Sequence, residues 1–138
     1  MDKIVDKATL LSINICDHII KEENTHKTSL IGMFGNINIA KFPCVYPCLY
    51  VYVAVTGGRG KQTGKLCFVN DETNKTSVEL NGDIEFPDPI AIVEMNFRIT
   101  NLHLDNPGMY HFEFWLDDEL IGQRSFTVKK IISNKDLK

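Results

Sequence analysis

The sequence predicts an all-β protein, a two-sheet antiparallel sandwich of about eight strands. Hydrophobic residues alternate with polar ones along most of the chain, and this period of two is the pattern of half-buried strands. Turn-forming residues separate the runs, and no segment with helical periodicity lies between them. Strands that follow one another without intervening helices pack as antiparallel sheets.

The first four predicted strands cover residues 9–20, 27–39, 46–56 and 64–70. In the first strand, Leu11, Ile13 and Ile15 share one face and alternate with polar residues. A short helix over 8–20 stays open as the alternative, because polar residues interrupt that run. The third strand contains an apolar run over 49–55, and the fourth ends in a cluster of turn-forming residues.

The last four predicted strands cover residues 75–86, 90–104, 109–117 and 120–129. In the sixth strand, Val93, Met95 and Phe97 alternate with polar and charged residues, which indicates one buried face. The seventh strand places its even-numbered aromatic and aliphatic residues on one face. A short acidic connection then leads into the eighth strand, so we expect a hairpin there.

The 138 residues fit one domain, because domains usually contain about 100–200 residues. We expect this single domain to span 1–138, with an ordered core over 8–130 and a frayed tail over 131–138. The hydrophobic share of 43% and the charged share of 24% are those of an ordinary globular protein. A chain of this size buries enough surface to fold without a disulfide or a metal.

The net charge of −3, without a long run of one sign, argues against a nucleic-acid partner, which requires clustered cations. No apolar run reaches the ~20 residues of a membrane helix, so we expect no membrane span. The N-terminus lacks a convincing secretory signal, which predicts a cytoplasmic protein. In that compartment four cysteines should stay reduced: Cys16, Cys44, Cys48 and Cys67.

Asp105 and Gly108 lie between the sixth and seventh predicted strands, and Tyr110 is the second residue of the seventh. Their spacing resembles, less strictly, the E–F corner of immunoglobulin-like domains. The resemblance implies a tyrosine corner, in which the Tyr110 hydroxyl bonds to backbone a few residues upstream. Gly108 would supply the positive φ of the bend. Phe112 stands where antibody domains carry a cysteine, so no inter-sheet disulfide is expected, and a C2-like sandwich stays open as the other fold type.

Two segments near the N-terminus, Cys16-Asp17 and 27–34, are separated by a polar turn. Together with the corner and the last hairpin, they resemble a family of small uncharacterised bacterial β-sandwich proteins over nearly the whole chain. The resemblance implies the sandwich fold and brings no known activity, cofactor or site residue.

No segment carries the spacing of a catalytic or cofactor motif, so we predict a non-enzymatic protein without a cofactor. The loop 56–65 is rich in Gly and Lys but does not match the spacing of a phosphate-binding loop. Cys44 and Cys48 have the spacing of half a zinc site, but no second pair follows, so we predict no metal. There is no Gly-x-Ser-x-Gly elbow, and the histidines are expected on half-exposed strands.

Calcium-assisted binding of a ligand or a membrane surface is the alternative function. If the strands alternate in direction, the connections at 21–26, 57–63, 83–89 and 117–119 share one end of the sandwich. That end would gather these carboxylates: Glu22, Glu23, Asp83, Asp88, Asp117, Asp118 and Glu119. Calcium takes six to eight oxygen ligands, and C2-like domains bind it through such loops. The same end also receives Lys21, Arg59 and Lys61, whose charge opposes a cation.

Aromatic residues on strands three and seven predict an interaction surface. Alternation turns Tyr50 and Tyr52 outward on strand three, and Trp115 outward on strand seven. In an immunoglobulin-like order these strands are C and F, which are neighbours in one sheet. We therefore predict that Tyr50, Tyr52 and Trp115 form one patch on the outer face of strands three, seven and eight. Such aromatics are enriched at binding hot spots, so the patch would bind a protein partner or a second copy of the chain.

Overall fold

The computed structural model describes residues 8–132, and every regular element in that part of the chain is a β-strand. The strands are β1 (Thr9–Lys21), β2 (Thr28–Met33), β3 (Asn36–Ile39), β4 (Cys44–Thr56), β5 (Gly60–Asn70), β6 (Thr76–Phe86), β7 (Ile92–Leu104), β8 (Gly108–Leu116) and β9 (Glu119–Lys130). The predicted all-β fold is confirmed, and the segment for which a short helix was the alternative forms β1. The described residues contain no helix long and apolar enough to cross a membrane.

The strands form two sheets that enclose one hydrophobic core. The four-stranded sheet has the order β2-β1-β4-β7, and the five-stranded sheet has the order β3-β9-β8-β5-β6. Neighbouring strands are antiparallel, except that β3 runs parallel to β9. The connections β2–β3, β3–β4, β4–β5, β6–β7 and β7–β8 each pass from one sheet to the other, so both sheets are built from segments distant in sequence.

The prediction of one continuous strand over 27–39 is wrong. The structure divides it into β2 in the four-stranded sheet and β3 in the five-stranded sheet, which raises the strand count from eight to nine. The chain changes sheets at Phe34 and Gly35: the Phe34 N–H donates to the Ile15 carbonyl, and the Gly35 carbonyl accepts from the Thr127 N–H, both at 3.0 Å. Phe34 packs on the core from an even position, whereas Ile37 and Ile39 pack on it from odd positions, so the alternation shifts by one residue at the crossing.

The predicted fourth strand also begins earlier than expected. β5 starts at Gly60 instead of residue 64, because its first residues pair with the end of β6. The tail predicted over 131–138 lies largely outside the described residues. Within them, the Ile131 N–H still donates to the Ile39 carbonyl at 3.0 Å, which ties the end of β9 to β3.

The core is built from the inward-facing residues of both sheets. Val51 and Val53 of β4 face Phe68, Phe112 and the other buried residues of the five-stranded sheet, as their alternation predicts. No polar or charged residue in the described chain is buried. Each fully buried large apolar side chain stabilises the fold by roughly 1.5–3 kcal/mol, so this shared cluster is what holds the two sheets together.

The predicted tyrosine corner is present between β7 and β8. The Tyr110 hydroxyl donates to the Asn106 carbonyl at 2.6 Å, four residues upstream. Gly108 has a φ of 144°, a conformation that residues with a Cβ rarely adopt. The Tyr110 ring stacks on Phe68 with 5.0 Å between ring centroids. The corner therefore fixes the start of β8 to both the backbone and the core.

The four-stranded sheet is strongly curled. The Thr28 hydroxyl at the start of β2 donates to Glu94 Oε1 on β7 at 3.1 Å. Because β1 and β4 lie between these strands, a flat sheet would separate them by about 14 Å at ~4.8 Å per strand. The curl covers part of the face turned away from the core, where Ala54 and Cys16 are 5% and 0% exposed.

Candidate functional site

The structure does not bring Tyr50, Tyr52 and Trp115 together. All three point away from the core, so the predicted outward orientation agrees with the burial pattern of β4 and β8. However, β4 belongs to the four-stranded sheet and β8 to the five-stranded sheet. Their outer faces lie on opposite sides of the core, and the predicted single patch is therefore wrong.

The error has a structural cause in the strand count. The prediction treated 27–39 as one full strand, which made the strand over 46–56 the third and gave it position C beside F. Because β2 and β3 are short edge strands, β4 occupies an earlier position and pairs with β1 and β7. The strand that actually pairs with β8 is β5, over Gly64 to Asn70.

Tyr50 and Tyr52 lie on the covered face of the curled sheet. The Tyr52 hydroxyl donates to the Glu94 carboxylate, which also accepts from Thr28. Burial, reinforced by Glu94, raises the pKa of Tyr52 to about 12, so this hydroxyl keeps its proton. The Tyr50 ring lies 6.4 Å from the His18 ring on β1. These two tyrosines are half-buried against the β1–β2 hairpin and are poorly placed to receive a partner.

Trp115 lies on the outer face of the five-stranded sheet, in a fixed orientation. Its indole N–H donates to Glu113 Oε1 at 3.0 Å, and the Lys65 Nζ lies 5.1 Å from the ring centroid. Leu120 is directly opposite on β9 and is 43% exposed. We name these four residues the Trp115 surface. It combines an anchored aromatic ring with an exposed aliphatic side chain.

Glu113 is in turn held by an imidazole that bridges two carboxylates. His111 Nδ1 lies 2.5 Å from Asp71 Oδ1, and His111 Nε2 lies 2.7 Å from Glu113 Oε2. Burial lowers the pKa of His111, but hydrogen bonds and attraction from both carboxylates outweigh it and raise the pKa overall. Burial likewise raises the pKa of Glu113, and its bonds to His111 and Trp115 reverse this and lower it. Both effects favour a charged pair beneath the indole.

This bridge was missed at the sequence level. His111, Glu113 and Trp115 share one parity on β8, so their common face was visible in the sequence. Asp71 lies in the turn after β5, forty positions from His111, and nothing local connects the two. Both ring nitrogens are engaged by carboxylates, which leaves none to activate a nucleophile.

The outer face around Trp115 carries more acids than bases on β6. Val78, Leu80 and Ile84 pack on the core, which turns the intervening residues outward. Those outward residues include three exposed carboxylates: Glu79, Asp83 and Glu85. Charged groups near a binding surface select partners of the opposite sign, so this face suits a partner with basic side chains.

The predicted acidic end of the sandwich is only partly formed. In the β1–β4 register Thr9 lies opposite Thr56 and Cys16 opposite Tyr50, so the turn after Lys21 lies at the end opposite to the 57–59 connection. Glu22 and Glu23 are therefore far from the other predicted ligands. Because β1 and β4 are antiparallel, β1 ends beside the start of β4, whereas the 57–59 connection follows the end of β4. The prediction of one shared end is therefore wrong for the turn after Lys21.

Asp117 and Asp88, which remain at that end, accept hydrogen bonds from the protein. Asp117 accepts from Gln62 Nε2 at 2.9 Å and from the Thr63 N–H at 3.0 Å, and these bonds lower its pKa. Asp88 accepts from the Ile90 N–H at 2.9 Å. Among residues 8–132, no three His, Cys, Asp or Glu side chains are grouped so that they could hold a metal ion. The geometry offers the calcium hypothesis no ligand set.

A family profile described as "Family of unknown function (DUF6941)" matches residues 11–129. The chain belongs to the DUF6941 family. The match confirms the expected membership of a family of uncharacterised proteins, and the family assigns no activity to its members. A search of curated proteins found no match.

Three solved structures that resemble the chain do so over small parts of much larger proteins. The β-glucosidase EmGH1 from Erythrobacter marinus aligns with TM-score 0.50 and 14% identity, over 89% of this chain and 15% of that one. A β-glucosidase from Listeria innocua in complex with isofagomine aligns at 0.49 and 10%, over 96% and 18%. Pseudomonas fluorescens alkylpurine DNA glycosylase AlkC, bound to DNA containing an abasic site analog, aligns at 0.47 and 8%, over 85% and 30%. Of these three, EmGH1 alone bears on the fold, and none bears on function.

Proposed function

We propose that the protein is a non-enzymatic interaction module that binds a protein partner through the Trp115 surface. The observation that carries the proposal is the anchored indole beside an exposed leucine. Glu113 fixes the indole N–H, and Leu120 extends the apolar area on the neighbouring strand. A ring that is already held in place loses little further freedom on binding, which favours its use as an anchor.

The charges around this surface support a partner with basic side chains. The exposed carboxylates of β6 lie on the same face as Trp115, where Lys65 contacts the indole ring and Lys61 lies opposite Glu85. Attraction between exposed charges is screened by salt, with a Debye length of about 10 Å at 0.1 M. Association through this face should therefore weaken as the salt concentration rises.

We also propose that the two sheets form an immunoglobulin-like sandwich. Immunoglobulin domains place strands A, B and E in one sheet and G, F, C in the other. The orders β1-β4-β7 and β9-β8-β5 follow this arrangement, with β8 at position F. The Tyr110–Asn106 bond at the start of β8 supports the same assignment, since the tyrosine corner belongs to strand F.

The cysteines support the cytoplasm, or another reducing compartment, as the place of action. Cys16, Cys44, Cys48 and Cys67 are all unpaired. Free thiols persist where glutathione and thioredoxin keep them reduced.

Truncation of Trp115 tests the proposed function. Trp115→Ala should weaken association by roughly 30-fold, because hot-spot truncations cost about 2 kcal/mol or more. Stability should fall much less, since the residue is only partly buried. The measurements are the denaturant melt, sedimentation for self-association, and quantitative capture of binding proteins from a lysate at two salt concentrations. Arg98→Ala, at an exposed position on the other sheet, is the control.

Two results would contradict the proposal. One is a loss of several kcal/mol of stability with unchanged association, which is the behaviour of a core tryptophan. The other is equal loss of binding in Trp115→Ala and Arg98→Ala, which would place the contact elsewhere.

A further inference from the structure

The side of the molecule where β1 faces β9 is only half closed by strands. β2 pairs with the second half of β1, from Cys16 to Lys21, and β3 pairs with the end of β9, from Thr127 to Lys130. In the described chain, the first half of β1 and the first half of β9 have no strand partner on this side. We name this opening the β1–β9 seam.

The chain itself shows how the closed half of the seam is filled. Phe34 and Gly35 pass between the strands, and the Phe34 N–H donates to the Ile15 carbonyl of β1. The Gly35 carbonyl accepts from the Thr127 N–H of β9. A single crossing segment of the chain therefore satisfies backbone groups of both strands at this point. Alternate residues of a strand direct their backbone groups to the same side, so Ile13 presents its groups to the seam as Ile15 does.

In the open half, an arginine takes the place of a strand. Arg124 Nη1 donates to the Ile13 carbonyl at 2.9 Å and to Asn14 Oδ1 at 3.1 Å. A guanidinium has five N–H donors, of which Nη1 carries two, so three remain on Nε and Nη2. Between residues 8 and 132, no carboxylate lies within ion-pair distance of this group.

The arginine lies in a groove along the free edge of β1. The groove has a volume of about 330 Å³ and is lined by residues 10–14 and Arg124. Leu11, at its rim, is 50% exposed. The groove ends at a close contact between Leu10 and Gly122. A Cβ added to Gly122 would lie only 2.5 Å from Leu10 Cδ2. About four residues of an extended chain, at ~3.3 Å each, fit between this contact and Phe34.

We propose that the β1–β9 seam binds a short extended segment of a partner protein that carries a carboxylate. The segment adds to the free edge of β1 as Phe34 does at Ile15, and its carboxylate pairs with the remaining donors of Arg124. A single arginine in an otherwise uncharged groove balances one carboxylate, whereas a phosphate would leave excess negative charge. Strand addition supplies affinity through backbone bonds, and the arginine supplies selectivity.

Blocked peptides test the seam without knowledge of the partner. The probe is an acetylated, amidated tetrapeptide of Thr and Val with one internal Glu, and its counterpart carries Gln instead. Wild type should bind the Glu peptide about tenfold more tightly, the effect of ~1.4 kcal/mol from a charge-assisted hydrogen bond. Hydrogen exchange should slow at the amides of Leu11 and Ile13, which face the seam, when the Glu peptide is bound.

Arg124→Lys should lose most of the preference for Glu, because an ammonium lacks the planar fork that pairs with a carboxylate. This variant keeps a donor for the Ile13 carbonyl and is therefore expected to fold. Arg98→Lys, an exposed arginine on β7, is the matched control and should bind both peptides as wild type does.

Several outcomes would overturn the seam proposal. These are no binding of either peptide, equal binding of both, or protection outside β1 and β9. If Asp2→Asn or Asp6→Asn in the full chain increased peptide binding, the chain's own N-terminal segment would be the occupant instead of a partner. None of these results depends on Trp115, so the seam and the Trp115 surface are tested separately.

Discussion

At the scale of single residues, His111 connects the turn after β5 to the face that carries Trp115. Its two ring nitrogens contact Asp71 and Glu113, and Glu113 continues the chain of contacts to the indole. Hydrogen bonds in which both partners are charged are the strongest in proteins. Protonated His111 therefore orders Glu113 and, through it, Trp115.

This arrangement predicts a pH dependence of stability. The folded-state pKa of His111 is raised above the ordinary value of about 6.5. Its stabilising contribution is therefore fully present below about pH 6.5 and is lost as the pH rises through the folded-state pKa. The difference in unfolding free energy between wild type and His111→Gln should shrink between about pH 6 and pH 8.5, as denaturant melts at each pH would show.

His103→Gln removes an exposed imidazole from β7 and serves as the control. If the difference in unfolding free energy between wild type and His111→Gln grew with pH, burial would outweigh the two carboxylates in its effect on the pKa of His111. The pH range stays above the titration of Glu113, whose lowered pKa affects stability only under acidic conditions.

At the scale of elements, the junction between β7 and β8 shows how a local motif positions a strand. The Tyr110 hydroxyl bonds to the backbone of Asn106, while its ring packs on Phe68 of the neighbouring strand. The bend is therefore held by a hydrogen bond within it and by packing of the Tyr110 ring on the core. The same strand then carries Trp115 outward at its far end, so the corner determines how the candidate surface is oriented.

Tyr110→Phe should lower the unfolding free energy by about 0.5–1.5 kcal/mol, the net worth of a typical hydrogen bond. The ring and its packing are retained, so the loss reports the hydroxyl alone. Tyr50→Phe, on the covered face of the other sheet, is the matched control and should change stability less. Coincident denaturant melts of wild type and Tyr110→Phe would show that the corner bond contributes nothing.

At the scale of the whole molecule, the two sheets give the protein two different outer faces. The curled four-stranded sheet covers much of its own face, where the Tyr52 hydroxyl is engaged by Glu94. The five-stranded sheet presents Trp115 and Leu120. The β1–β9 seam lies at one side, between the two sheets, where the first half of β1 and the first half of β9 approach each other without a described strand to join them.

The same architecture predicts the order in which the cysteines react. Cys16 and Cys67 are buried, and burial raises the pKa of both thiols, whereas Cys44 and Cys48 are partly exposed. In the native protein Cys44 and Cys48 should react first with a thiol reagent, because the thiolate is the reactive form and access is needed. After unfolding without reductant, mass spectrometry should show all four labelled.

A Cys44–Cys48 bridge in freshly lysed cells would contradict both the free thiols and the reducing compartment. Stoichiometric zinc in the purified protein would show that these cysteines bind a metal after all.

Features that depend on neighbouring residues were predictable from the sequence. The alternation along β4 and β8 determined which side chains enter the core, as at Val51, Val53 and Phe112, whereas in β1 the register shift between Leu10 and Ser12 leaves Leu11 exposed instead of on the predicted face of Ile13 and Ile15. The spacing of Asp105, Gly108 and Tyr110 determined the corner, because its bond spans four residues. In both cases the chain's own geometry brings the interacting groups together, so no knowledge of distant segments is required.

Features that depend on which strands meet were decided only by the tertiary structure. Alternation specifies a strand's faces but not its neighbours, and the cost of closing a longer loop rises so slowly that many pairings are open to a given strand. The crossing at Phe34 and Gly35 sent β2 and β3 to different sheets, and this placed Tyr52 and Trp115 on opposite sides of the core. Long-range packing likewise brought Asp71 to His111 and left Arg124 spanning the seam, because burial of the shared core, and not any local signal, determines how the two sheets face each other.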